Sequence, residues 1–164
     1  MNVRSWGLSH PPSKAITASR GQLNFGSGRE TTFFGNGRSY GDSCLNKQNG
    51  VLVTRDMDRL IEFDSSNGVL TCEGGVTLGA IQSLCVKRGW MLPVTPGTQM
   101  ATLAGAIAND VHGKNHHFNG CLGNHVLRLT LLRSSGEEIE CSPTVNPDMY
   151  AATIGGLGLT GLIK

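Results

Sequence analysis

Thr95-Pro-Gly-Thr-Gln-Met-Ala-Thr-Leu-Ala-Gly-Ala-Ile-Ala-Asn-Asp-Val-His-Gly-Lys-Asn-His-His-Phe-Asn-Gly-Cys-Leu-Gly-Asn-His125 decides how this chain is read. It sets an apolar run of Leu103, Ala104, Ala106, Ile107 and Ala108 directly before a polar cluster of His112, Lys114, Asn115, His116 and His117. Gly105, Gly113, Gly120 and Gly123 let the backbone pack closely or turn sharply without a Cβ penalty. Four of the chain's five histidines fall here, more than an ordinary core needs. The segment reads as built to wrap a bound molecule.

Working outward, Thr102 to Asn109 reads as a short helix. Thr77 caps an earlier one, with Leu78, Ile81, Leu84 and Cys85 at helical spacing and Gly89 at its end. Before that, Leu60 to Asp64 and Val69 to Glu73 flank Ser65-Ser-Asn-Gly68 as a hairpin. Thr31 to Phe34 is a short strand running into a glycine loop, and Val51 to Thr54 follows an Asn49-Gly50 turn. Towards the end, His125 to Arg133 and Glu138 to Cys141 read as strands joined at Ser134-Ser-Gly136. A helix over Pro147 to Ala152 and a glycine turn from Gly155 into a strand ending at Ile163 complete the pattern. Residues 1–29 read as an irregular arm, and 30–164 as the folded domain. Short strands and helices without βαβ alternation predict an α+β fold. The Rossmann pattern fails, because Gly35-Asn-Gly37 leads into neither a helix nor a suitably spaced acidic residue.

The 164 residues suffice for one domain with a core. Glycine is 23 of them, about twice its usual share of ~7%, and the excess lies in separate clusters rather than a repeat. A net charge of +2, scattered Lys and Arg, and few aromatics to interleave with them argue against nucleic-acid binding. No secretory h-region and no apolar run near ~20 residues is visible, so a cytoplasmic protein is expected. The five cysteines have no metal-ligand spacing and no metal is expected. Cys121 lacks a defined base and reads as a buried thiol.

Three glycine segments carry the chemistry. Gly35-Asn-Gly-Arg-Ser-Tyr-Gly-Asp-Ser43 follows a strand, so its successive N–H groups can form an anion nest with Arg38 and Ser39 adding donors; alone it also fits a plain tight turn. Pro96-Gly-Thr98 and the helix opening at Thr102 are expected to offer unpaired N–H groups. Gly155 to Gly161 is the third. Three such segments favour a long, dinucleotide-sized ligand. His112 and Lys114 are the candidates for proton transfer and polarisation, while His116, His117 and His125 read as structural donors to loop carbonyls.

These motifs together resemble the FAD-binding domain of the PCMH-type, vanillyl-alcohol oxidase flavoprotein superfamily, and within it the decaprenylphosphoryl-ribose oxidase and FAD-linked sugar oxidase group. Gly35 to Asp42, Gly68 to Leu78, Pro96 to Thr98, Ala104 to Ala108, Asp110 to His117, Gly123 to His125 and Thr153 to Gly161 carry the resemblance. It implies a PCMH-type fold of two small α/β subdomains. It implies FAD held by Gly35, Asn36, Gly37, Arg38, Ser39, Tyr40, Gly41 and Asp42, and by Pro96, Gly97, Thr98, Thr102, Leu103, Gly105, Asn109, His112, Gly113, Gly158, Gly161 and Ile163. His112 and Lys114, with Tyr40 nearby, would face the isoalloxazine and the substrate. The implied activity is oxidation of a sugar, polyol or lipid-linked sugar hydroxyl by hydride transfer to the flavin. An aldonolactone oxidase, or a flavin-binding module with no turnover alone, are the alternatives.

Two departures shape these expectations. Many relatives carry a flavin-bonding histidine in the first loop, and Arg38 stands there instead, so non-covalent FAD is expected. The family also continues into a substrate domain, which predicts that this chain is a truncated portion or works with a partner chain supplying one.

Overall fold

A computed structural model describes residues 1–17 and 30–164. Of the arm expected to be irregular, 18–29 lie outside the described residues. The part before them is ordered into two strands, β1 (Asn2–Val3) and β2 (Ser13–Thr17). They enter a sheet with β3 (Thr32–Phe34) and β4 (Val51–Val53), in the order β1-β2-β4-β3. β4 pairs parallel with both neighbours and is buried at all three positions, which is why Val-Leu-Val reads as a continuous apolar run. This parallel pairing comes without βαβ alternation, because the β3–β4 crossover is made by the glycine loop and not by a helix.

β5 (Leu60–Asp64) and β6 (Val69–Cys72) form the expected hairpin, antiparallel. Asp64 closes the turn by accepting from the N–H groups of Ser66 and Asn67, and Gly68 takes φ +68 beneath the Trp90 ring. Helix α1 (Leu78–Val86) follows, with the Thr77 hydroxyl accepting from Ala80 N–H. Helix α2 (Leu103–Ala108) is capped in the same way by Thr102, and Asn109 closes it. A single turn, α3 (His116–Asn119), and a 3-10 turn (Leu122–His125) come next. The strand expected from His125 starts only at Leu129: β7 (Leu129–Leu132) lies between β8 (Glu138–Cys141) and β9 (Leu162–Ile163), both antiparallel to it. Leu127, the first residue of that apparent alternation, is exposed. Helix α4 (Pro147–Thr153) packs near β8.

The largest core joins Val76, Ile81 and Cys85 of the α1 region to Ile107, Leu131, Cys141 and Ile163. A smaller one, Val3, Phe34, Val51 and Val53, belongs to the first sheet. Met57, Leu132 and Leu162 form a third cluster. α2 belongs to the largest cluster through Ile107, while Ala104, Gly105 and Ala108 also line a cleft.

Candidate functional site

A cleft of about 880 Å³ runs between the first loop, α2 and the last glycine turn, at the upper end of the ~300–1,000 Å³ typical of ligand sites. Gly35 to Gly41 form one wall, and Pro96, Gly97 and Thr98 a second. Thr102, Gly105, Asn109 and His112 line it along α2 and just beyond, and Gly158, Gly161 and Ile163 close it. Asn36 Nδ2 donates to the Met100 carbonyl at 2.9 Å, tying the first two walls together.

Four of the expected residues lie elsewhere. Leu103 is one turn from Ile107 on the helix, and both side chains join the core while Ala104, Gly105, Ala108 and Asn109 face the cleft. Gly113 is buried with Thr95 O and Asn115 Oδ1 against the place of a Cβ, so its role there is close packing. Lys114 is exposed and outside the cleft lining. Asp42 faces His10, with Oδ2 3.4 Å from Nε2. Conversely, Trp6, Phe33, Thr54 and Leu157 line the cleft without having been expected there. Trp6 arrives with the ordered start of the chain and meets Tyr40 edge-on, centroids 5.4 Å apart. No local motif marks it. Leu157 adopts φ +53, which an unbroken reading of the glycine turn does not anticipate.

The backbone donors divide sharply. Those at the opening of α2, expected to be free, are paired: Leu103 N–H donates to Val76 O at 2.8 Å, Ala104 N–H to Gly74 O at 2.8 Å, and Gly105 N–H to Thr102 Oγ1 at 3.3 Å. The cause is tertiary, because the chain between β6 and α1 passes over the helix end and takes its donors. The N–H groups of Gly37, Arg38, Ser39, Tyr40 and Gly41 have no acceptor among the described residues. The last turn is intermediate: Gly155 and Leu157 donate to Ile107 O and Ala108 O, fixing it to the end of α2.

The glycines supply a test of whether a cofactor fits. At Gly35 a Cβ would collide with Thr102 Oγ1, and at Gly37, with φ +61, one would lie 2.5 Å from Arg4 O. Those two are required by packing. Gly41 and Gly97 are not: among the described glycines they alone have neither a positive φ nor any atom within 4 Å of a Cβ. Both are exposed and line the cleft, so a ligand lying there would meet bare backbone at these two positions. Arg38 is the only Lys or Arg among the described lining residues, and no Asp or Glu joins it. Free N–H groups, a guanidinium and bare glycines suit a pyrophosphate and a flat ring system.

His112 is exposed on the cleft rim, held by a bridge to Cys121 and by Leu122 N–H donating to Val111 O. Its ring meets His116 at 5.5 Å, His116 meets His117 at 5.6 Å, and His117 leans on Phe118 at 4.3 Å. His116 Nδ1 lies 3.2 Å from Gly113 O and His125 Nε2 2.8 Å from Asn119 O, while the His117 ring meets His116 and Phe118 and has no hydrogen bond among the described residues. Burial raises the Cys44 thiol above its ordinary value; its own backbone and the Ser39 hydroxyl partly oppose the shift. Cys121 is half-buried.

The model of the FAD binding domain family matches residues 26–142. Decaprenylphosphoryl-beta-D-ribose oxidase of Mycolicibacterium smegmatis is 39% identical over 137 residues, 83% of this chain and 30% of that protein. L-gulonolactone oxidase of Mus musculus is 30% identical over 109 residues, 65% of this chain and 24% of its own length. Among solved structures, 6-hydroxy-D-nicotine oxidase from Arthrobacter nicotinovorans superposes with a TM-score of 0.72 at 23% identity, covering 82% of this chain and 29% of that one. The last likeness concerns the fold alone. The chain spans less than a third of the length of the relatives it matches.

Proposed function

Since the chain belongs to the FAD binding domain family, we propose that it is the FAD-binding portion of an oxidoreductase that oxidises a sugar or polyol hydroxyl by hydride transfer to the flavin. The observation that carries this reading is the row of unpaired N–H groups from Gly37 to Gly41, with Arg38 among them, on a cleft of dinucleotide size. These groups hold the pyrophosphate. The small face of α2 lets a long cofactor lie against the backbone, and Gly41 and Gly97 leave it room.

The bound flavin supplies the hydride acceptor. His112, on the rim, takes the hydroxyl proton of the substrate, and Tyr40 with Trp6 shields one side from water. Lys114, outside the cleft, meets the part of the substrate that projects beyond it. Arg38 offers no nucleophile for a bond to the flavin, so FAD is held non-covalently. The resemblance to sugar and lactone oxidases supports the substrate class, and an aldonolactone is the nearest competitor. A module that turns over only with a further chain or domain is favoured by the exposure of Tyr40, Phe118 and Leu159.

Titrating the purified chain with FAD tests the reading. Saturable uptake near one equivalent, with yellow supernatant after acid precipitation, is expected. Failure to take up FAD overturns it, and flavin retained in the precipitate overturns the non-covalent part. Bleaching by a sugar or polyol separates an active chain from a module that only binds.

A further inference from the structure

We propose that the chain carries a second anion site, adjoining the FAD cleft at the first loop, built to take a phosphate group. A pocket of about 340 Å³ lies between the start of the chain and the loop after β3, and Arg4, Arg38 and Arg55 all line it. No Asp or Glu among the described residues joins them there. None of the three guanidinium groups has a hydrogen bond or ion pair to a described residue; the Arg55 guanidinium lies only over the Phe34 ring, 5.9 Å from its centroid. Three positive forks lining one pocket with no acid beside them make it attractive to an anion.

A second observation points the same way. Ser5 lines this pocket, is 1% exposed, and its hydroxyl is the one buried side-chain polar atom without a partner among the described residues. A buried hydroxyl without a partner costs free energy, which a rotation of the Ser5 side chain towards an acceptor in the pocket would recover. Guanidinium groups match phosphate oxygens in paired, planar hydrogen bonds, and a serine hydroxyl completes such a shell. At Gly37 the place of a Cβ is 2.5 Å from Arg4 O and 2.6 Å from the Phe34 ring, so the start of the chain and the loop pack closely there. The volume admits a phosphate with a small ester group against Trp6 and Leu8. The ligand is therefore inorganic phosphate or a small phosphate ester.

Trp6, Asn36, Gly37 and Arg38 line both this pocket and the FAD cleft, and Arg38 is the charged donor the two anions share. This linkage rests on the FAD reading above; the phosphate site itself does not. Occupancy of the second pocket draws Arg38 from the flavin side and weakens FAD binding.

Calorimetric titration of the full chain in a phosphate-free buffer is the test, with inorganic phosphate and glycerol 3-phosphate as probes and chloride at matched ionic strength as the control. Saturable binding of at least one probe is expected. Arg4→Gln with Arg55→Gln should weaken it about tenfold or more while FAD uptake stays unchanged. Arg55→Lys, which keeps the charge and loses the fork, covers the case in which the double variant does not fold, and should also weaken the probe. Arg38→Gln should weaken phosphate and FAD together. Tighter binding of glycerol 3-phosphate assigns the pocket to an ester, and equal binding assigns it to the free ion. Absence of saturable binding, an effect matched by chloride, or affinity unchanged in both arginine variants overturns the proposal. If FAD uptake fails while phosphate binds, the flavin reading falls and the second site stands.

Discussion

The loop from Gly35 to Gly41 and the opening of α2 at Thr102 line the same cleft, and both read in the sequence as places where backbone N–H groups face an anion. In the fold they differ. The loop keeps its donors, because it crosses from β3 to β4 without a neighbouring strand or helix to accept from them. The helix end loses its donors to Val76 O, Gly74 O and its own Thr102 cap. One region keeps free donors on the cleft, and the other spends its donors on holding the helix end in place. A helix N-terminus is an anion site only if tertiary structure leaves its donors free.

This contrast can be broken in order of expected effect. Gly41→Val and Gly97→Val put branched side chains into open cleft, and should weaken FAD binding about 10- to 100-fold with little change in the unfolding midpoint. Equal loss of stability in these variants would show that both glycines serve packing instead. Gly35→Ala should do the reverse, since its Cβ meets Thr102 Oγ1; a stability loss of about 1–3 kcal/mol in urea unfolding is expected. Thr102→Ala removes the cap on Gly105 N–H and should cost about 1 kcal/mol. Its FAD affinity should fall far less than that of Gly41→Val. A comparable fall would mean that the helix end does hold the ligand.

The smallest effect concerns the framework that takes the helix donors. Cys72 ends β6, two residues before Gly74 O, and burial pushes its thiol from 9.0 up to about 11, with Cys85 and Glu73 adding to the shift. The native thiol keeps its proton where the unfolded one has lost it. Its contribution is therefore fully present below about pH 9 and declines as pH rises towards about 11. Cys72→Ala should flatten that alkaline limb of the stability profile, as read by thermal unfolding against pH.

Much of the fold was legible. Thr77 and Thr102 cap helices where threonine before a small or apolar run says they should, and Ser65-Ser-Asn-Gly68 turns the hairpin because Gly68 accepts a positive φ. These are local effects, set by neighbours within four residues. The ordered β1 and β2, the parallel pairing of β4, and the late start of β7 were not legible. Each depends on a partner strand distant in sequence, and Leu127 shows how an apolar alternation can run past the last paired residue. The site follows the same division: Gly35 to Gly41 reach the cleft as a local loop, whereas Leu103 turns into the core and Trp6 arrives from the start of the chain.

Sequence alone determined which residues are of a kind to bind: the glycines, Arg38 and the His112 segment, because conformational freedom and donor chemistry belong to the residue itself. Only the tertiary structure decided which of them are free to do so. Whether an N–H remains unpaired, or a missing Cβ leaves open space rather than a packed contact, depends on what the rest of the chain brings alongside. That is why Gly41 faces the cleft and Gly113 a carbonyl, though both read alike in the sequence.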